Sequence, residues 1–119
     1  MTIAEISRRW RVDPATARDA IKRAGIPPCD LFISPRYGRD DVLQIIEAWP
    51  AAMLEQMDQD IQLETAESLA NRFGVTPQTI RNYGRAGRFH RVEISSGAVR
   101  YGAPFFAKNE SEGKTDDIH

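Results

Sequence analysis

The sequence predicts a mainly α-helical chain with small β-hairpins, arranged as two tandem copies of one unit joined by a helical linker. Three observations predict it. A shift of 63 residues lays Thr2 on Thr65, Arg9 on Arg72, Val12 on Val75, Pro14 on Pro77, Thr16 on Thr79 and Arg18 on Arg81, and self-similarity at a fixed offset marks a repeated structural unit. Ile6 with Leu69, Trp10 with Phe73 and Ala17 with Ile80 are similar pairs, and Arg36-Tyr37-Gly38 matches Arg100-Tyr101-Gly102 one residue out of step. Each copy opens on two capped amphipathic stretches separated by a tight turn. Each then changes from helical spacing to a shorter alternating stretch. The expected boundaries are 1–49 for the first unit, 50–64 for the linker, 65–107 for the second unit and 108–119 for a polar, disordered tail.

In the first unit Thr2 and Glu5 form a capping box, and Ile3, Ile6 and Trp10 fall at helical spacing. Thr65 caps the equivalent helix, but Ser68 stands where Glu5 stands, so that box is expected to be incomplete. Ala66, Leu69, Ala70 and Phe73 are its apolar face. The turn Gly74-Val75-Thr76-Pro77 supplies a left-handed C-cap glycine, an N-cap and a proline at the first helical position. Arg11-Val12-Asp13-Pro14 does the same with Arg11 in place of the glycine. Val12 and Val75 are expected to plug the space between helices. The second helices run from Pro14 to about Ala24 and from Pro77 to about Ala86, with Ala17 and Ile80 turned inward. Two helices joined by so short a turn are a helix-turn-helix.

His90-Arg91-Val92-Glu93-Ile94 alternates, Ser95-Ser96-Gly97 is a turn and Ala98-Val99-Arg100-Tyr101 returns, which reads as a hairpin. In the first copy Asp30-Leu31-Phe32-Ile33 is the outgoing strand, Ser34-Pro35 the turn and Arg36-Tyr37 the return. A third helix, capped by Asp40, carries Val42, Leu43, Ile45, Ile46 and Trp49; its counterpart is the short stretch Pro104-Phe105-Phe106-Ala107. Ala51 to Leu63, with Met53, Leu54, Met57 and Ile61 along one side, reads as a connecting helix.

The second helix of such a unit enters the major groove of DNA. Its exposed positions are Ala15, Thr16, Arg18, Asp19 and Lys22 in the first copy and Gln78, Thr79, Arg81, Asn82 and Arg85 in the second. Gln, Asn and Arg are the side chains that pair with adenine and guanine edges, and Thr16 and Thr79 can donate to phosphate. Arg36, Arg91 and Arg100 lie on the hairpins, where a guanidinium reaches the backbone or minor groove.

The net charge is −1, yet its distribution is uneven. Six basic residues lie between Arg8 and Arg23, six arginines between Arg72 and Arg100, and eight acids with no Lys or Arg from Asp40 to Glu67. Two basic clusters can track phosphates while an acidic connector cancels the total. Cys29 is the single cysteine, so no intrachain disulfide or cysteine zinc cluster forms, and it is expected to be a semi-buried small hydrophobe. There is no apolar run of membrane-spanning length and no visible signal peptide, which implies a cytoplasmic protein. Gly84-Arg85-Ala86-Gly87 lacks the strand context of a nucleotide loop. His90 and His119 are poorly placed for catalysis or metal, so neither an enzyme nor a cofactor is expected.

The capped helix, the Gly74-Val75-Thr76-Pro77 turn, Thr79-Ile80-Arg81, Gly87-Arg88-Phe89 and the Arg100-Tyr101 strand together resemble the excisionase/MerR-like winged helix-turn-helix superfamily. Thr65 to Tyr101 carries the better match, and Thr2 to Trp49 is more divergent. The resemblance implies tandem winged helix-turn-helix modules with Gln78, Thr79, Arg81, Asn82 and Arg85 facing double-stranded DNA and Arg91 and Arg100 on the wing. It implies an excisionase acting in DNA recombination, or a small transcription regulator, of a mobile element or phage. A recombinase or RNA polymerase is the candidate protein partner. The alternatives are a phage terminase small subunit, which would form a ring, and a protein-interaction module that binds no DNA.

Overall fold

The computed structural model describes residues 1–31 and 33–102. Phe32, the stretch Pro104–Ala107, the polar tail and His119 lie outside those residues. The fold is mainly α with one small antiparallel hairpin.

Two helix pairs have matching ends. Helix α1 (Ile3–Trp10) starts at Thr2, whose Oγ1 accepts from Glu5 N at 3.2 Å while Glu5 Oε1 accepts from Thr2 N at 2.8 Å. It ends at Arg11 in the left-handed region, φ 56°, a conformation that strains a residue with a Cβ. The Arg11 guanidinium offsets that strain by donating to Leu63 O at 2.7 Å. Helix α2 (Pro14–Ala24) is capped by Asp13, which accepts from Thr16 N at 3.1 Å, and stops at Gly25, φ 74°. Helix α4 (Ala66–Phe73) ends at Gly74, φ 70°, and α5 (Pro77–Arg85) is capped by Thr76. The α4 capping box is complete, against expectation. Ser68 Oγ accepts from Thr65 N at 2.9 Å and Thr65 Oγ1 from Ser68 N at 3.0 Å, since at this spacing a hydroxyl oxygen reaches the cap amide as a carboxylate would. Ala17 and Ile80 are buried as expected. Val12 packs against the core, but Val75 is 40% exposed and plugs nothing.

The middle of the chain departs further. The third helix, α3 (Arg39–Asp41), begins after Gly38 without a side-chain cap, and Asp40 pairs instead with Arg39 at 3.0 Å. It widens into a π-helical turn (Val42–Ile46), followed by Ala48 at φ 62°. This irregular exit turns both Glu47 and Trp49 into the interior, and Ile45 is left exposed. The expected linker helix is only a 3₁₀ helix (Ala51–Gln56). Arginine side chains take the carbonyls that a continued helix would use. Arg39 Nη2 donates to Leu54 O and Met57 O at 2.7 and 2.6 Å, and Arg9 Nη1 to Asp58 O and Ile61 O at 3.0 and 2.7 Å. Among the described residues of the expected first hairpin there is one bridge, Cys29 with Arg36. Pro27, Pro28 and Pro35 lack the N–H groups that a ladder needs, and Cys29 is exposed rather than semi-buried.

Strands β1 (Arg91–Ser95) and β2 (Ala98–Tyr101) pair Arg91 with Tyr101, Val92 with Arg100 and Glu93 with Val99, and the register slips before Ser95–Ala98. Alternation along each strand then gives the hairpin two faces. Val92, Ile94 and Ala98 join the core of the first helix pair, with Ile6, Trp10, Ala17, Ile21 and Val42. Val99 and Tyr101 pack with Leu69, Ala70 and Ile80 of the second. The hairpin is therefore wedged between the pairs, with one face in each of two separate apolar clusters, and Leu63 of the connecting stretch joins the first.

A buried polar knot lies beside it. Glu47, fully buried, accepts from Arg9 Nε and Trp10 Nε1 at 2.7 Å on Oε2, and from Arg9 Nη2 and Trp49 Nε1 at 2.8 Å on Oε1.

Candidate nucleic-acid interface

Capping and burial decide which face of α5 meets solvent. With Ile80 buried and Gly84 against Tyr101, helical geometry turns Gln78, Arg81, Asn82 and Arg85 outward, and all are exposed. They are ordered by one another. Asn82 Oδ1 accepts from Gln78 Nε2 at 3.0 Å and from Arg85 Nη1 at 2.8 Å. Arg81 Nη2 meets Glu67 Oε2 of α4 at 3.2 Å. Thr79 is half-buried, with its hydroxyl 3.0 Å from that of Thr76, so it belongs to the cap as much as to the surface.

Between α5 and the hairpin lies a cleft of about 250 Å³, lined by Glu67, Arg81, Arg85, Arg91, Arg100 and the Ser96–Gly97 turn. The guanidinium excess makes it an anion-attracting concavity. Arg91 shares the hairpin face of Val99 and Tyr101, keeps a partly exposed side chain and pairs loosely with Glu93 at 3.6 Å.

Arg100 lies on the opposite face of the pleat. Its Nε donates to Trp10 O at 2.8 Å and its Nη2 to Arg11 O at 3.0 Å, the last carbonyls of α1. Burial pulls its pKa down, with the Glu67 charge acting the other way. Its guanidinium thus donates to backbone carbonyls within the protein while the half-buried side chain lines the cleft.

On α2, Arg18 and Lys22 are exposed one turn apart, Thr16 is half-buried at the cap and Arg23 donates to Ile94 O at 2.7 Å. Arg36 sits in the bridge to Cys29, and its charge acts on Glu5, whose carboxyl is held low first by its hydrogen bond with the Thr2 backbone. The structure brings Arg81, Arg85 and Arg91 together at one cleft. Arg100 also lines that cleft with its donors turned to Trp10 O and Arg11 O, and Arg36 lies away from it.

Sequence reasoning missed Glu67, the partner of Arg81, and Arg23. Glu67 is one of the first residues of α4 and reads as an ordinary acid at a helix N-terminus, so nothing local flagged it. His90 stacks on Trp49, ring centroids 3.7 Å apart, with Nε2 2.6 Å from Glu47 O. Among the described residues no group of three or more His, Cys, Asp or Glu is placed to hold a metal, and no helix is long and apolar enough to cross a membrane. Comparisons with protein-family models, with curated proteins and with solved structures give no match.

Proposed function

We propose that this chain binds double-stranded DNA as two fused winged helix-turn-helix units, acting as an excisionase-type recombination directionality factor or a small transcription regulator of a phage or mobile element. The observation that carries the reading is α5: a capped helix after a left-handed glycine turn, presenting Gln78, Arg81, Asn82 and Arg85 above an arginine-lined cleft. A helix of this width fits the major groove. There Gln and Asn suit adenine and Arg suits guanine, while Arg91 is set to meet the flanking phosphate. Helix α2 offers Arg18 and Lys22 to phosphate and, with Ala15 and Asp19 in place of Gln78 and Asn82, reads a shorter half-site than α5. The exposed Leu31 and Ile33 (88% and 106%) favour an added protein contact, for which a recombinase or RNA polymerase is the candidate.

The test is selection from a randomised duplex library at about 50 and 200 mM salt. The expected result is an enriched site whose binding falls steeply with salt. No duplex retained at the lower salt would refute the reading.

A further inference from the structure

Resting on that DNA-binding reading, we infer that Arg23 and Arg100 are positioning residues that lock the hairpin to the first helix pair, so that α2 and α5 meet DNA as one rigid body and accept a bipartite site of a single spacing. The hairpin is the joint. One face carries Val92, Ile94 and Ala98 into the core of the first pair, and the other packs Tyr101 onto α4 and α5. At each side of the joint an arginine closes a backbone gap. The last carbonyls of a helix lack internal partners, and Arg100 takes those of Trp10 and Arg11 at the end of α1. Ile94 has no cross-strand partner where the register slips, and Arg23 takes its carbonyl.

The connector offers no slack either. Leu63 N donates to Arg9 O at 2.7 Å, Gln62 Nε2 to Arg8 O at 2.9 Å and Arg9 Nη1 to Asp58 O and Ile61 O. Glu64 pairs with Tyr101 in both directions at 2.8 Å, adding a third strand segment to the hairpin. Modules on a flexible linker tolerate a range of spacings through effective concentration. A rigid pair cannot. A ten-base-pair insertion between half-sites restores the rotational phase but moves one half-site about 34 Å along the axis, beyond the reach of a body with no free connector.

The experiment starts from the selected site and inserts one, five or ten base pairs between its halves, with affinity measured for the full chain. The expected result is that five and ten both reduce binding about 10²-fold, the lower end of the bivalent gain, to the level of a lone half-site. Arg23→Ala should shrink the penalty of the one-base-pair insertion while leaving unchanged the affinity for the lone half-site read by α5. A loss of folding alone would not reproduce that split, and the wild-type series stands if the variant fails to fold. Recovery at ten base pairs, a flat profile, or selection of a single contiguous half-site overturns rigid spacing and leaves the DNA reading intact. Failure to bind any duplex overturns both.

Discussion

Replacing Glu47 by glutamine tests the buried knot directly. Its carboxylate is fully buried and accepts four N–H groups, two from Arg9, one from Trp10 and one from Trp49, all at 2.7–2.8 Å. Glutamine keeps the shape but removes the charge, and its amide nitrogen turns a donor towards donors. The Arg9 side chain, 1% exposed, is then an unpaired buried cation, for which the loss is about 3–5 kcal/mol. With a urea slope of roughly 1–3 kcal/mol per molar, a loss of about 4 kcal/mol lowers the midpoint by roughly 2 M. The assay is urea unfolding followed by tryptophan fluorescence, since both Trp10 and Trp49 report on the knot. A loss below about 1 kcal/mol for Glu47→Gln, within the range of ordinary surface changes, would refute the reasoning.

Ala48→Gly should raise the melting temperature by about 4 °C, since relief of the left-handed strain at φ 62° is worth about 1–2 kcal/mol and exceeds the entropy that glycine adds; a lower value would argue against strain. Gly84→Ala should destabilise by about 1 kcal/mol by thermal melting, because its Cβ would meet Tyr101 Cε1 at 2.6 Å and overpacking of about 1–3 kcal/mol outweighs the gain in helix propensity; stabilisation would contradict that packing. Arg81→Ala should lose about 1–3 kcal/mol on the selected site and relax its sequence preference, whereas Arg91→Ala should weaken all duplexes evenly and reduce the salt slope by about one; equal, site-independent losses would remove Arg81 as a base reader. Hydrogen bonds from Thr16 hold the Asp13 carboxyl below its ordinary 3.8, so its stabilisation is fully present above that value and lost as pH falls through the lower folded one. Asp13→Asn caps without titrating, so the variant should show a shallower acid loss in urea midpoints between about pH 5 and pH 2.5, and identical slopes would sink the assignment.

Legibility in the sequence followed distance along the chain. The capping box at Thr2, the Asp13-Pro14 and Thr76-Pro77 helix starts, the Gly74 stop and the β1–β2 hairpin were all readable, because each depends on residues within a few positions. The outward face of α5 was readable for the same reason, once Ile80 marked the inner side. The linker helix was not, because Arg9 and Arg39 draw its carbonyls away from helical bonding from tens of residues off. The first hairpin looked like the second in its Arg-Tyr-Gly echo, yet three prolines without N–H groups outweighed that pattern.

By itself, then, the sequence determined the helix ends, the turns, the mainly helical class and the candidate reading face, because capping, backbone φ and apolar periodicity are local physics. Only the tertiary structure decided which arginines are available. Arg91 and Arg100 look equivalent in the sequence, but the strand register puts one over the cleft and the other on the carbonyls of Trp10 and Arg11. It also decided that the hairpin of the second unit divides its two faces between two apolar clusters. Val92 and Ile94 are an alternating apolar face that satisfies either neighbour by pattern alone, and only packing against α1 and α2 selects the unit whose surface they bury.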